Sequence, residues 1–110
     1  MSYTFYIFLL KGGIMLESKF QSDLIKELKR RFTGCVVLKN DAGYIQGIPD
    51  LLVLYKHHWA MLECKVTSRA QPNQLYWVDK LDDMSFAAII SPDNKEVVLN
   101  ELEQAFQPRW

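Results

Sequence analysis

Asp50, Glu63 and Lys65 are the residues whose types and spacing could do chemistry. Asp50 stands where the unbroken apolar run Leu51 to Tyr55 begins, and Glu63 and Lys65 stand at the end of a second run, Trp59 to Leu62. Lys56, His57 and His58 lie between the runs, so the stretch reads as two strands joined by a short polar turn. Strand side chains alternate faces, which points Glu63 and Lys65 one way and the Cys64 thiol the other. Pro49, lacking an amide hydrogen, suits the mouth of a strand. Three ionisable groups therefore converge at one corner of an apolar hairpin. Charge is expensive to bury there unless a metal or partner compensates it. Two carboxylates offer hard oxygen ligands to a divalent cation, and an amine beside them could hold or deprotonate a water. The bland alternative is an ordinary charge cluster at a sheet edge, with Glu63 and Lys65 as a same-face pair.

The elements that must position these groups follow from periodicity. Leu16 to Phe32 reads as an amphipathic helix with Phe20, Leu24 and Leu28 on one stripe. Glu17, three residues before Phe20, falls on that apolar face. It reads either as a first-turn acid favoured by the helix dipole or as a carboxylate aimed at the core's edge. Gly34 ends this helix, and Cys35 to Leu38 reads as a strand continuing into Lys39. Asn40 to Gly47 is a polar loop. After the hairpin comes a loop over residues 67–73. Pro72 opens a helix to about Met84, with Leu75, Val78 and Leu81 as its stripe and Gln74 facing inward. Phe86 to Ile90 reads as a buried strand and Glu96 to Leu99 as a short strand or helix lead-in. Asn100 is expected to cap a last helix through Phe106, with Glu103 in the capping box. The expected fold is α/β, with helix, three strands, helix and strand around a mixed sheet.

Composition narrows the class without naming it. The chain has 110 residues, enough for one modest core, and 49% of them are hydrophobic. Its formal net charge is zero, so any nucleic-acid binding must use local basic patches. Cys35 and Cys64 sit in apolar runs without ligand spacing, which suits reduced thiols in a cytoplasmic protein. Tyr3 to Leu10 is apolar but much shorter than the roughly 20 residues of a membrane span, and it lacks signal-peptide features. Residues 1–14 are read as an N-terminal extension, either an extra strand or a translated leader before Met15, and 15–110 as the domain proper.

Taken together and in order, Glu17, Gly47-x-Pro49-Asp50, Glu63-x-Lys65 and Gln71-x-x-Gln74 opening a helix resemble the PD-(D/E)XK nuclease superfamily. Within it the chain looks most like the small stand-alone VRR-NUC domains of phages, with archaeal-type Holliday junction resolvases next. The resemblance covers about residues 15–90. It implies a restriction-endonuclease-like αβββαβ core and a metal-dependent DNA endonuclease, structure-selective on branched DNA such as Holliday junctions. Asp50, Glu63 and the Cys64 backbone carbonyl would hold Mg²⁺, for which Mn²⁺ would substitute, and Glu17 would join directly or through a water. Lys65 would act on the attacking water or the phosphorane, and Gln74, with Gln71, would orient water or phosphate. Lys19, Lys26, Arg30, Lys39 and Arg69 would contact phosphates, and Tyr44 would touch substrate. Symmetric cutting of a junction calls for a homodimer, through the apolar tail or through Trp77. His57 and His58, at the far end of the strands, are expected to be solvent-exposed turn residues. The alternatives are a flap, duplex-repair, restriction or homing nuclease, and a non-catalytic DNA-binding module on the same fold.

Overall fold

The computed structural model describes residues 3–108, with side chains from Leu16 onward. Seven elements follow in order: α1 (Tyr3–Arg31), β1 (Val36–Lys39), β2 (Leu51–Tyr55), β3 (His58–Cys64), α2 (Pro72–Met84), β4 (Phe86–Ile90) and α3 (Lys95–Ala105). The strands form one mixed sheet in the order β1-β2-β3-β4. β1, β2 and β3 pair antiparallel, and β4 joins β3 in parallel after the α2 crossover. The protein is thus an α/β fold with a four-stranded mixed sheet and the expected order of elements.

Register explains the layers. Leu51 pairs with Leu62, Val53 with Ala60, and Ala60, Leu62 and Cys64 lie beside Phe86, Ala88 and Ile90. By alternation these side chains share one face of the sheet. They form a core with Leu24 and Leu28 of α1, with Phe32 just after it, and with Val98, Leu99 and Leu102 of α3. Two helices therefore cover this face. Met61, Glu63, Ala87 and Ile89 point to the other face, which α2 covers over β3 and β4. β1 is an edge strand whose Val36 and Leu38 stay about half exposed. Buried ion pairing adds little here; Arg31 to Glu96 (2.9 Å) and Lys95 to Glu27 (3.0 Å) tie α1 to α3 near the surface.

Four sequence expectations are corrected. Among the described residues α1 already includes Tyr3 and runs through Lys11-Gly12-Gly13 unbroken, so residues 3–14 are helical where an extra strand was one of the two expectations. Two internal glycines cost about 1 kcal/mol each in a helix, which weakens it without forbidding it. The side chains of Tyr3 to Leu10 lie outside the described residues. Glu17 is consequently mid-helix, and the dipole explanation for it lapses. On α2 the inward stripe is Gln74, Val78 and Leu81, while Leu75 is 51% exposed. Steps of three residues drift around a helix, whereas four-then-three holds one face. Finally, α3 starts at Lys95, not Asn100, because the longer helix also buries Val98 and Leu99. Asn94 organises that entry: its Oδ1 accepts from the Ser91 amide (2.7 Å) and its Nδ2 donates to the Ile89 carbonyl (2.9 Å).

The turn between β2 and β3 takes only Lys56 and His57, with Lys56 in the left-handed region at φ +55°. His57 is exposed, as expected. His58 differs: it opens β3 and stacks on Phe106, with ring centroids 5.8 Å apart.

Candidate active site

The carboxylate pair is a product of hairpin register. Leu51 faces Leu62, so the next position sets Asp50 opposite Glu63 on the α2 side of the sheet. Asp50 replaces a ladder partner there: its Oδ2 accepts the Cys64 amide at 2.9 Å. Glu63 is only 2% exposed. Its Oε1 accepts a long bond from Gln74 Nε2 (3.4 Å), and its Oε2 is buried with no partner. Burial, then the charge of Asp50, push the Glu63 carboxyl up to about 8, and Lys65 partly opposes them. In its protonated form Glu63 can donate to Asp50; ionised, the two acids meet with no donor between them.

The frame around this pair is rigid. Gly47 has φ +89°, and a Cβ there would come within 2.9 Å of Asn73, including its backbone carbon. The Gly-x-Pro-Asp segment is thus keyed against the first turn of α2, with Pro49 fully buried. We expect Gly47→Ala to destabilise the fold by roughly 2–4 kcal/mol, combining left-handed strain and the clash. Urea denaturation would read this, and a loss below about 0.5 kcal/mol would mean that the loop yields freely. Gln74 is locked from the other side. Its Oε1 accepts the Gln71 amide at 2.8 Å, closing the N-terminus of α2 and turning Nε2 toward Glu63. Gln74 is therefore a positioning residue for Glu63, and Gln71 is an exposed helix cap.

The remaining candidates divide by location. Lys65 is half-buried on the Glu63 side, and its amide continues the ladder to the Ile90 carbonyl (2.9 Å). Glu17, half-buried on α1, is the weakest of the charges felt at Glu63, consistent with a place beyond direct contact. Lys39 pairs with Leu51 at the same end of the sheet but, by alternation, on the α1 face. Lys19 is near Glu17 and is held by Asp23 (3.1 Å). Lys26 and Arg30 lie about 14 and 20 Å along the helix from Glu17, so they are not brought to this corner. Arg30 also sits 3.8 Å from Glu27. Arg69 is exposed in the loop before α2. The Cys64 side chain faces the core, where burial and nearby carboxylates push its thiol up to about 12. It is inert as a nucleophile.

Asn40 is the residue that sequence reasoning missed. Its amide donates to the Asp50 carbonyl (2.9 Å) and its Nδ2 to the Pro49 carbonyl (2.8 Å). An asparagine ending the strand before a Gly-x-Pro-Asp loop was the available signal.

The donor set fits a hard cation of modest demand. Among the described residues no group of three His, Cys, Asp or Glu side chains is close enough to hold an ion. Asp50 and Glu63 supply two carboxylates, one with an orphaned oxygen. Mg²⁺ asks for one or two carboxylates plus waters, which this pair meets. No protein-family model, no curated protein and no solved structure matches the chain. Among the described residues no helix is long and apolar enough to cross a membrane.

Proposed function

We propose that the protein is a metal-dependent DNA endonuclease of the PD-(D/E)XK type, with a restriction-endonuclease-like core, acting on branched DNA. One observation carries the reading: Glu63 is buried opposite Asp50 with an unpartnered oxygen, and Lys65 is on the same side. Without metal the cost of burying Glu63 is met by keeping its proton, and a divalent cation between the acids would replace that proton with a charge that also does chemistry. When bound by Asp50, Glu63 and the Cys64 carbonyl, Mg²⁺ or Mn²⁺ would neutralise phosphate charge and acidify a water. Lys65 would hold the attacking water and offset charge on the phosphorane. Glu17 would act through an intervening water. Gln74 would fix the Glu63 carboxylate. Lys19 and Lys39 would meet phosphates near the cut, and Lys26, Arg30 and Arg69 would meet them farther out. Two such sites are needed to cut a four-way junction symmetrically, hence a homodimer on that substrate.

The test is cleavage of end-labelled four-way junction, flap and linear duplex DNA with Mg²⁺, Mn²⁺ or EDTA. Paired symmetric nicks on the junction alone support the whole reading. Equal cutting of all three keeps the nuclease and removes branch selectivity, as for a repair or restriction enzyme. Metal-independent binding with no cutting leaves a DNA-binding module.

A further inference from the structure

A second site lies beside the carboxylates. The loop between β1 and β2 folds over β3 and leaves an open, shallow cavity of about 220 Å³, lined by Asn40, Asp41, Tyr44, Ile45, Ile48 and Met61. Its walls are mainly apolar, and no cation lines it. Tyr44 is 84% exposed at its rim. A tyrosine so exposed beside isoleucine and methionine offers a flat, unshared face.

The cavity is joined to the carboxylates through Asn40, whose two hydrogen bonds hold Pro49 and Asp50, and whose Nδ2 lies 3.5 Å from the Met61 sulfur. Met61 precedes Glu63 by two residues on the same face, about 7 Å away. Whatever fills the cavity is therefore adjacent to a group bound at Asp50 and Glu63.

Charge selects the occupant. Asp41 repels phosphate, so the cavity does not suit a backbone group. Asp41 lines the cavity; its Oδ1 accepts the Gly43 amide (2.8 Å), and its Oδ2 remains an acceptor. A flat apolar ring system carrying an amino group matches this lining: the ring would stack on Tyr44, and the amine would donate to Asp41. The volume falls below the roughly 300–1,000 Å³ of drug-sized pockets, as a single ring system requires.

We infer that this cavity takes one unstacked nucleobase of the strand being cut, next to the scissile phosphate, with amino-bearing bases favoured over thymine. The inference rests on the nuclease reading. It gives the substrate a property: a nucleotide beside the cut that is unpaired, or easily unpaired.

An abasic scan tests it. With the full chain and Mg²⁺, one abasic position flanking the cut is expected to lower kcat/KM by about 10- to 100-fold. Tyr44→Ala should lose a similar factor on intact DNA, and little more when both changes are combined. Asp41→Asn should narrow the disadvantage of thymine at that position. Wild-type rates for Tyr44→Ala, or an equal loss at every abasic position, would overturn the pocket while leaving the nuclease intact. If the wild-type protein cuts no DNA, the nuclease reading falls, and binding alone decides the pocket. The probe is then 2-aminopurine scanned along a single-stranded oligonucleotide without divalent metal. A fluorescence change at one position, lost in Tyr44→Ala, supports it; no change at any position overturns it.

Discussion

Glu63→Gln is expected to be the more stable protein at neutral and alkaline pH. The Glu63 carboxyl, ordinarily near 4.5, is pushed up to about 8 in the fold by burial and by Asp50. In the unfolded chain it ionises near its ordinary value. Between these two values the folded state therefore holds a proton that the unfolded state has released, and stability falls as pH rises. Below about pH 4.5 both states are protonated and the penalty is absent. Above about pH 8 it is fully present, on the order of 5 kcal/mol, and between pH 7 and 9 roughly 3–5 kcal/mol. Glutamine has the same shape, stays neutral, and can donate to Asp50. Urea melts at pH 4.5, 6.5 and 8.5 without divalent metal would compare the two proteins. The variant should gain steadily on the wild type across the series. Added Mg²⁺ should stabilise the wild type more than the variant, since in the proposed metal site a cation would replace the proton. Parallel pH profiles would mean that the Glu63 environment is wetter than its burial indicates.

The second large effect is on the proposed cleavage activity. Lys65→Ala should lower the cleavage rate by about 10²–10³, the usual loss for one group that meets developing charge. The fold should persist, because the Lys65 contact to the Ile90 carbonyl is made by its backbone. Lys65 also lowers the Glu63 carboxyl's proton affinity. Its removal should raise that affinity further, so metal must displace a proton held more tightly. The pH at which Mg²⁺ binds half-maximally should move upward in Lys65→Ala. Lys65→Arg should restore that pH by returning the charge, yet recover little rate, because a planar guanidinium cannot reproduce a compact amine at the water. Cleavage kinetics beside calorimetric Mg²⁺ titrations would separate the two roles. A Lys65→Ala rate within a few-fold of wild type would remove Lys65 from the mechanism.

How far the sequence carried these conclusions depended on the range of the physics involved. Strand alternation is local, and it alone set Glu63 and Lys65 on one side with the Cys64 thiol on the other. That Asp50 meets them at one corner was legible too, but not the register: a turn of Lys56, His57 and His58 would set Asp50 opposite Cys64, whereas the observed turn of Lys56 and His57 sets it opposite Glu63. Gln74 was legible too, since its four-and-three spacing to Val78 and Leu81 is that of a buried stripe. Its positioning role was less so: the groups it meets, the Gln71 amide and the Glu63 carboxylate, belong to a cap and to a distant strand. Glu17 was read on the right face but in the wrong part of its helix, because the start of α1 depends on what glycines tolerate rather than on periodicity. Asn40 and the cavity beside it arise from a loop folding back over β3. Such long-range packing leaves no period in the chain. Leu75 misled for a simpler reason, its hydrophobicity outweighing its angle on the helix.

The placement of the Lys56–His57 turn has an engineering consequence. It lies at the end of the sheet away from the carboxylates, about 20 Å along β3 from Cys64. Both turn residues are exposed, and the left-handed backbone at Lys56 is one that glycine adopts without strain. A guest domain spliced there through glycine-rich linkers would leave the Gly47 contact with Asn73 untouched, and the Asp50–Glu63 register would then rest on strand pairing alone rather than on the turn.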